Sequence, residues 1–316
     1  MGQYCFGIDV GGTTVKCGLF MTDGTLVENW EIPTRLEEEG SFILPDIAET
    51  IQKKMDEMGI DSQNVEGVGI GIPGPVNAKG EVSVAVNLHW KFKAVASELS
   101  ALTGLQAKAG NDANVAALGE AWKGAAAGAK NVLMLTLGTG VGGGVIVDGR
   151  IVAGTHGAGG EIGHAVVNHD ETKPCNCGSK GCLEQYCSAT GLARLAREEL
   201  EETTRDTPLR QAQANGCLDA KAVLDAYKEN DTVATRIVEH FAELLGGAIA
   251  VFCTVIDPEA IVIGGGVSKA GKPLTDVISK YFKHYAFGPC KDTPIVIATL
   301  GNNAGIYGAA RMVLSE

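Results

Sequence analysis

A chain of 316 residues, 45% hydrophobic and 20% charged, carries enough apolar material for a sizeable core, about two domains at roughly 150 residues each. That composition excludes intrinsic disorder and a membrane-embedded body. With 26 basic and 38 acidic residues the net charge is −12, which opposes nucleic acid and anionic lipid as partners.

The first residues, MGQYCFGIDVGG, carry no basic leader. Tyr4 to Val10 and Val15 to Phe20 are apolar runs around a turn at Gly11 to Thr14, and Asp23-Gly24 leads into Thr25 to Trp30. Three strands joined by tight turns are expected. Ile47, Ile51, Met55 and Met58 recur at helical spacing, and Val65 to Ile72 reads as a buried strand ended by Pro73-Gly74-Pro75. A helix is expected over Asn114 to Ala127. The hairpin design returns about 127 positions on, at Val132 to Leu137, Gly138 to Gly144, Val145 to Val147 and Arg150 to Ala153, which suggests two halves related by duplication. Helices follow at Ala189 to Leu200, Ala220 to Asn230 and Ala234 to Val255, the last running into a strand at Ala260 to Ile263 and then Gly264-Gly265-Gly266. The longest apolar stretch, Leu244 to Ile256, is shorter than the roughly 18 to 20 residues of a membrane span. Alternating strands and helices make this an α/β protein.

Two nucleotide motifs fail on inspection. Gly138-Thr139-Gly140-Val141-Gly142-Gly143 satisfies G-x-G-x-x-G but is followed by a strand, so the dinucleotide fingerprint lacks its helix. Gly266 to Lys272 satisfies G-x-x-x-x-G-K, but Pro273 stands where a magnesium-binding hydroxyl is needed. What remains is Asp9, at the end of a strand, and the turn Gly11-Gly12-Thr13-Thr14 with Lys16 beyond it. Such a turn can aim N–H groups and hydroxyls at phosphate oxygens while the carboxylate holds a hydrated cation. Gly138-Thr139-Gly140 is a second turn of the same kind. Together they point to a phosphate clamp.

Nine cysteines, an odd number, with Cys175, Cys177, Cys182 and Cys187 crowded together, suit a metal site in a reducing compartment better than a disulfide framework. The cytoplasm is the expected location. Cys175, Cys177 and Cys182 offer three thiolates to a tetrahedral zinc ion. The fourth ligand is open among His156, His164, His169 and Cys187. Asn111-Asp112-Ala113-Asn114 precedes a helix, and Asn114 is the better-placed cap, which leaves Asp112 available as a base. Glu161 and Glu184 stand in or beside glycine turns.

These motifs, in this order along nearly the whole chain, resemble the ROK family of sugar kinases, its bacterial glucokinase branch most closely. The segment Cys-Asn-Cys-Gly-Ser-Lys-Gly-Cys-Leu-Glu at 175 to 184 is the most specific of them. The resemblance implies two actin-like (ribonuclease H-like) α/β domains closing over a cleft, with a structural zinc loop. Residues 1–110 plus about 299–316 would form the smaller domain, and 111–298 the larger. It implies His164 as the fourth zinc ligand, Asp112 as general base, and Gly74, Asn111, Asp112, Glu161, His164 and Glu184 as the sugar site. Asp9, Gly11, Gly12, Thr13, Thr14, Lys16, Gly138, Thr139, Gly140, Gly264, Gly265 and Gly266 would meet ATP and its Mg2+. Glucose is the expected substrate, with N-acetylmannosamine, N-acetylglucosamine or fructose as alternatives and a homodimer or dimer of dimers as the assembly. The family's sugar-sensing repressors carry a DNA-binding segment ahead of this core, whereas here the first strand begins at Tyr4.

Overall fold

In the computed structural model, which describes residues 2–314, the first glycine-centred hairpin consists of β1 (Tyr4–Val10) and β2 (Thr14–Met21), followed by β3 (Leu26–Pro33). A single turn, α1 (Glu37–Gly40), leads to α2 (Ile43–Met58), β4 (Val65–Ile72), α3 (Val95–Thr103), β5 (Ala107–Asn111) and α4 (Asp112–Lys123). The second hairpin is β6 (Val132–Leu137) and β7 (Val141–Val147), with the short β8 (Arg150–Ile151). Then come α5 (Glu184–Cys187), α6 (Ala189–Glu202), α7 (Pro208–Ala214), α8 (Ala220–Lys228) and α9 (Thr232–Ile256). The chain ends with β9 (Ala260–Gly264), α10 (Lys272–Tyr285), β10 (Ile295–Ile297) and α11 (Ala304–Leu314).

Two five-stranded sheets result, ordered β3-β2-β1-β4-β5 and β10-β9-β6-β7-β8. Read from the other edge, the second is β8-β7-β6-β9-β10, the same order as the first. This repeats at the level of topology what the two hairpins suggested in sequence. The packing separates two compact units, one made of residues as far as Val132, Gly144–Gly160 and Thr299 onward, the other of Leu133–Gly143 and Glu161–Ala298. The partition expected from sequence breaks the chain at 110/111. Packing instead groups 111–132 with the first unit, because α4 lies along α11.

In the first unit, alternation along β1 sends Phe6, Ile8 and Val10 to one face, where they meet Ile43, Ile47 and Ile51 of α2 and Leu99 of α3. The opposite face presents Cys5, which packs with Phe20 and with Ile306 and Ala310 of α11. β1 is therefore covered on both faces, and its end is a rigid place from which to present a side chain. In the second unit β9 is buried throughout, and the 25-residue α9 packs against α10, α8 and α6. By length and composition α9 could cross a membrane, yet 56% of its most apolar window is buried inside the unit, as in a core helix.

Glu120 of α4 is fully buried and accepts hydrogen bonds from the N–H groups of Ala125 (2.7 Å), Thr299 (3.1 Å) and Leu300 (2.8 Å). It ties α4 to the segment that leads into α11. All of these partners are donors, so Glu120→Ala, which leaves three partly buried N–H groups without their acceptor, should lower stability by about 1–3 kcal/mol in denaturant titration. A loss below about 0.5 kcal/mol would show that water satisfies them instead.

Candidate functional site

Asp9, next to the last residue of β1, lies opposite Lys16 on β2 and Gly71 on β4. Its carboxyl rests against the first turn of α11: a Cβ at Gly305 would stand 2.5 Å from Asp9 Cγ, so only glycine fits there. The turn beyond is held by Gly11 N–H to Thr14 O (3.0 Å), Thr34 Oγ1–H to Gly11 O (2.7 Å) and Thr34 N–H to Thr13 O (2.9 Å). This leaves Gly12 and Thr13 exposed at the tip. Lys16 Nζ donates to Asn302 O at 3.1 Å.

Burial, and after it the Asp112 carboxylate, push Asp9 up to about 6, against a smaller lowering by Lys16. Because this exceeds the ordinary value of 3.8, the folded chain holds the Asp9 proton more tightly than the unfolded one. Asp9 therefore costs stability as pH rises from about 4 to 6, and above 6 the whole cost, up to about 3 kcal/mol, is present. Asp9→Asn should then match the wild-type melting temperature near pH 4 and exceed it near pH 7.5, in thermal melts across that range. Equal melting temperatures at both ends would mean that neither burial nor the Asp112 carboxylate raises Asp9 in the folded chain.

Asn111 closes β5 and caps α4. Its Oδ1 accepts from Asn114 N–H (3.1 Å), while its Nδ2 reaches Gly74 O (3.1 Å) and Asp112 Oδ1 (3.0 Å). The cap is thus Asn111 and not Asn114, whose buried amide instead donates to Gly159 O (2.9 Å) and accepts from Val145 N–H (3.3 Å). Asp112 becomes the first helical residue, and its Oδ1 also accepts from Ala113 N–H at 2.8 Å. Gly74 has φ +109°, and a Cβ there would lie 2.5 Å from Val84 O, so the turn that brings its carbonyl to Asn111 requires glycine.

In the second unit the ligand atoms of His164, Cys175, Cys177 and Cys182 all lie within 4.8 Å of one another. Cys177 and Cys182 sulfurs are 3.6 Å apart, and Cys175 Sγ is 3.9 Å from His164 Nδ1. A tetrahedral zinc ion, with Zn–S about 2.3 Å and Zn–N about 2.0 Å, separates its ligand atoms by roughly 3.5 to 3.8 Å. The donor set and its spacing fit zinc. The loop is pinned by Cys175 N–H to Ser179 O (2.7 Å) and by Gly181 and Cys182 N–H groups to Gln185 Oε1 (2.8 and 3.1 Å). Among the described residues, His156, His169 and Cys187 stand outside this group. Cys187 is buried in α5 with its thiol toward Phe241 O.

His164 turns its other edge outward, with Nε2 4.0 Å from Glu161 Oε2. Glu184 Oε1 is 3.8 Å from Cys175 Sγ, and Oε2 accepts from Val141 N–H at 3.0 Å. Glu161, His164, Glu184 and the Gly138–Gly140 turn thus form one connected cluster around the cysteine loop. The turn is also bound to the start of α6, by Ala189 N–H to Gly138 O and Thr190 Oγ1–H to Thr139 O, each 2.7 Å. Beside it a cavity of about 640 Å³ is lined by Thr139, Thr190, Arg197, Lys221, Gly266 and Lys269, among others. Of the expected nucleotide residues in this unit, Thr139 and Gly266 line it, while Gly264 and Gly265 form the tight exit from β9 behind. Arg197, Lys221 and Lys269 were not foreseen, because they come from three elements and only the fold collects them.

Comparison with known proteins places one family over nearly the whole chain. The profile of the ROK family matches residues 5–316. The glucokinase of Halalkalibacterium halodurans is 43% identical over 99% of this chain and 96% of its own length, and that of Thermotoga maritima 35% over 97% and 96%. The crystal structure of a ROK family glucokinase from Streptomyces griseus, in complex with glucose and AMPPNP, covers 98% of both chains at 32% identity with a TM-score of 0.74.

Proposed function

Because the chain belongs to the ROK family, we propose that it is a glucokinase, transferring the γ-phosphoryl group of ATP to the 6-hydroxyl of glucose. The observation that carries this reading is the Asn111–Asp112 pair: a carboxylate at the first residue of a helix, oriented through Oδ1 by two N–H donors, beside the Gly74 carbonyl. A carboxylate fixed in this way can take the proton of a hydroxyl as its oxygen attacks phosphorus. The bond to the leaving ADP breaks in line, and the proton ends on Asp112. The transition state is loose, so placing the two reactants contributes more than the base.

Asn111, Glu161, His164 and Glu184, with the backbone at Gly74, are proposed to hold the remaining sugar hydroxyls. Paired acceptors suit a polyol, each of whose buried hydroxyls needs a partner. Asp9 offers the hard oxygen donors that magnesium prefers, and two neighbouring carboxylates favour a divalent cation. Bound there, Mg2+ would neutralise charge on the phosphates. Gly12, Thr13 and Thr14, with Gly11 shaping the turn and Lys16 behind it, and Gly138, Thr139 and Gly140 in the second unit, are proposed to meet those phosphates. The cavity beside Gly264, Gly265 and Gly266 would take the adenosine. Zinc on His164, Cys175, Cys177 and Cys182 would be structural, aiming His164 and Glu184. In function the chain is proposed to act as two actin-like domains, in a cytoplasmic homodimer or dimer of dimers.

The test is ADP release with Mg-ATP over glucose, N-acetylmannosamine, N-acetylglucosamine and fructose. Glucose should lead in kcat/KM by at least about tenfold, roughly 1.4 kcal/mol of transition-state binding. Another sugar leading by that margin would reassign the substrate, and no turnover on any sugar would reject the kinase.

A further inference from the structure

On the first unit, β5 is an edge strand among the described residues, and beside it lies a cavity of about 560 Å³. Lys79, Lys108 and Arg150 contribute the cations of its wall. Next to it a second cavity of about 620 Å³ is lined by Trp122, Lys130, Arg150 and Arg311, with Asp148 as its acid. The two share Leu118, Gly149 and Arg150. None of these residues belongs to the proposed sugar or nucleotide sites.

In a chain of net charge −12 the long-range field repels anions, so binding one requires cations held together locally. Several cations of this protein are engaged by neighbouring acids, as Lys54 is by Glu28 and Glu57, Arg194 by Glu171, and Lys280 by Glu239. Lys79, Arg150 and Arg311 are in no ion pair among the described residues. Arg311 instead lies 5.8 Å over the Trp122 ring, which leaves its guanidinium edge able to donate. Lys108 and Arg150 stand close enough that burial first, and the Arg150 charge second, lower the Lys108 ammonium. Like charges gathered at one wall are relieved by an anion.

We propose that these paired cavities bind a small organic bisphosphate, one phosphate at Lys79, Lys108 and Arg150 and the other at Arg150, Lys130 and Arg311. A single phosphate can use only one cavity, whereas a bisphosphate can use both. The ligand is therefore a compact metabolite carrying two phosphate esters.

Titration calorimetry with fructose 1,6-bisphosphate at about 0.15 M ionic strength, where exposed charges are screened beyond roughly 8 Å, is the direct test. Saturable one-to-one binding is expected in the wild type, at least about tenfold weaker in the R150E/R311E double variant and retained in R150K/R311K. Inorganic phosphate should bind at least about tenfold more weakly than the bisphosphate. The proposal falls if the wild type shows no saturable binding, if R150E/R311E binds as tightly as wild type, or if phosphate alone binds equally well. Thermal melts of each variant establish folding, and R150Q replaces the double variant if that one is unfolded. The readout is binding, so it stands apart from the kinase activity.

Discussion

Replacing Asp112 by Asn should lower kcat by about 10²- to 10⁴-fold, the usual contribution of a positioned base, while glucose binding stays nearly unchanged. The substitution is clean in this setting. An Asn side-chain oxygen can still accept from Ala113 N–H and from Asn111 Nδ2, so the local hydrogen bonds survive. What disappears is the basic oxygen, together with a negative charge in the first turn of α4 whose loss costs roughly 0.3–1 kcal/mol of stability. Glucose affinity by calorimetry and turnover by ADP release separate the two effects. Turnover within tenfold of wild type would remove Asp112 from proton transfer and return it to a purely orienting role.

Cys177→Ala should release the metal and weaken glucose binding in the same step. Of the three thiols, Cys177 is exposed, and a backbone N–H from Ser179 chiefly holds its thiol below the ordinary value. Burial first, then the other two thiols, push Cys182 up to about 12. Three sulfurs in this arrangement are comfortable only around a cation, since binding it removes their protons outright. His164 links the consequence to the sugar: Nδ1 faces Cys175 and Nε2 faces Glu161, so losing the metal frees the ring that the proposed sugar site depends on. Disturbed metal-ligand support typically costs ten- to a hundredfold in metal affinity or activity, and a loss of that order in glucose affinity is the expected result. Elemental analysis that still finds one zinc per chain in the variant would overturn this ligand set.

Much of this was legible in the residues themselves. Both glycine hairpins, the strand over Val65 to Ile72 and the long α9 follow from apolar runs and turn residues, and the cysteine spacing picks out three of the four side chains of the Cys/His cluster, the fourth, His164, coming from the family resemblance. Other elements were hidden for physical reasons. α10 begins at Lys272-Pro273, a pair easily discarded as a failed phosphate loop, although proline in the first turn of a helix is favourable. α11 contains Gly305 and Gly308, which read as breaks yet are where it lies close against Asp9 and α4. The cap of α4 shifted by three residues because both candidates are asparagine, and only the fold shows that Asn114 is committed to Gly159 and Val145. Glu120 looks like a surface acid on a helix until residues 299 and 300 arrive beside it.

That arrival has a consequence for how the protein is made. The first unit begins at the amino terminus but is completed by α11, whose Ile306 and Ala310 cover Cys5 and Phe20 on β1 and β2. On the ribosome the opening strands must therefore wait for the last residues of the chain, some fifteen seconds or more at about 20 residues per second, with one sheet face bare. Most of the second unit, 161–298, is continuous and can fold while they wait. Truncation ahead of α11 would thus spare the cysteine loop and the cavity lined by Thr139 and Gly266, yet leave the oldest part of the chain without its cover.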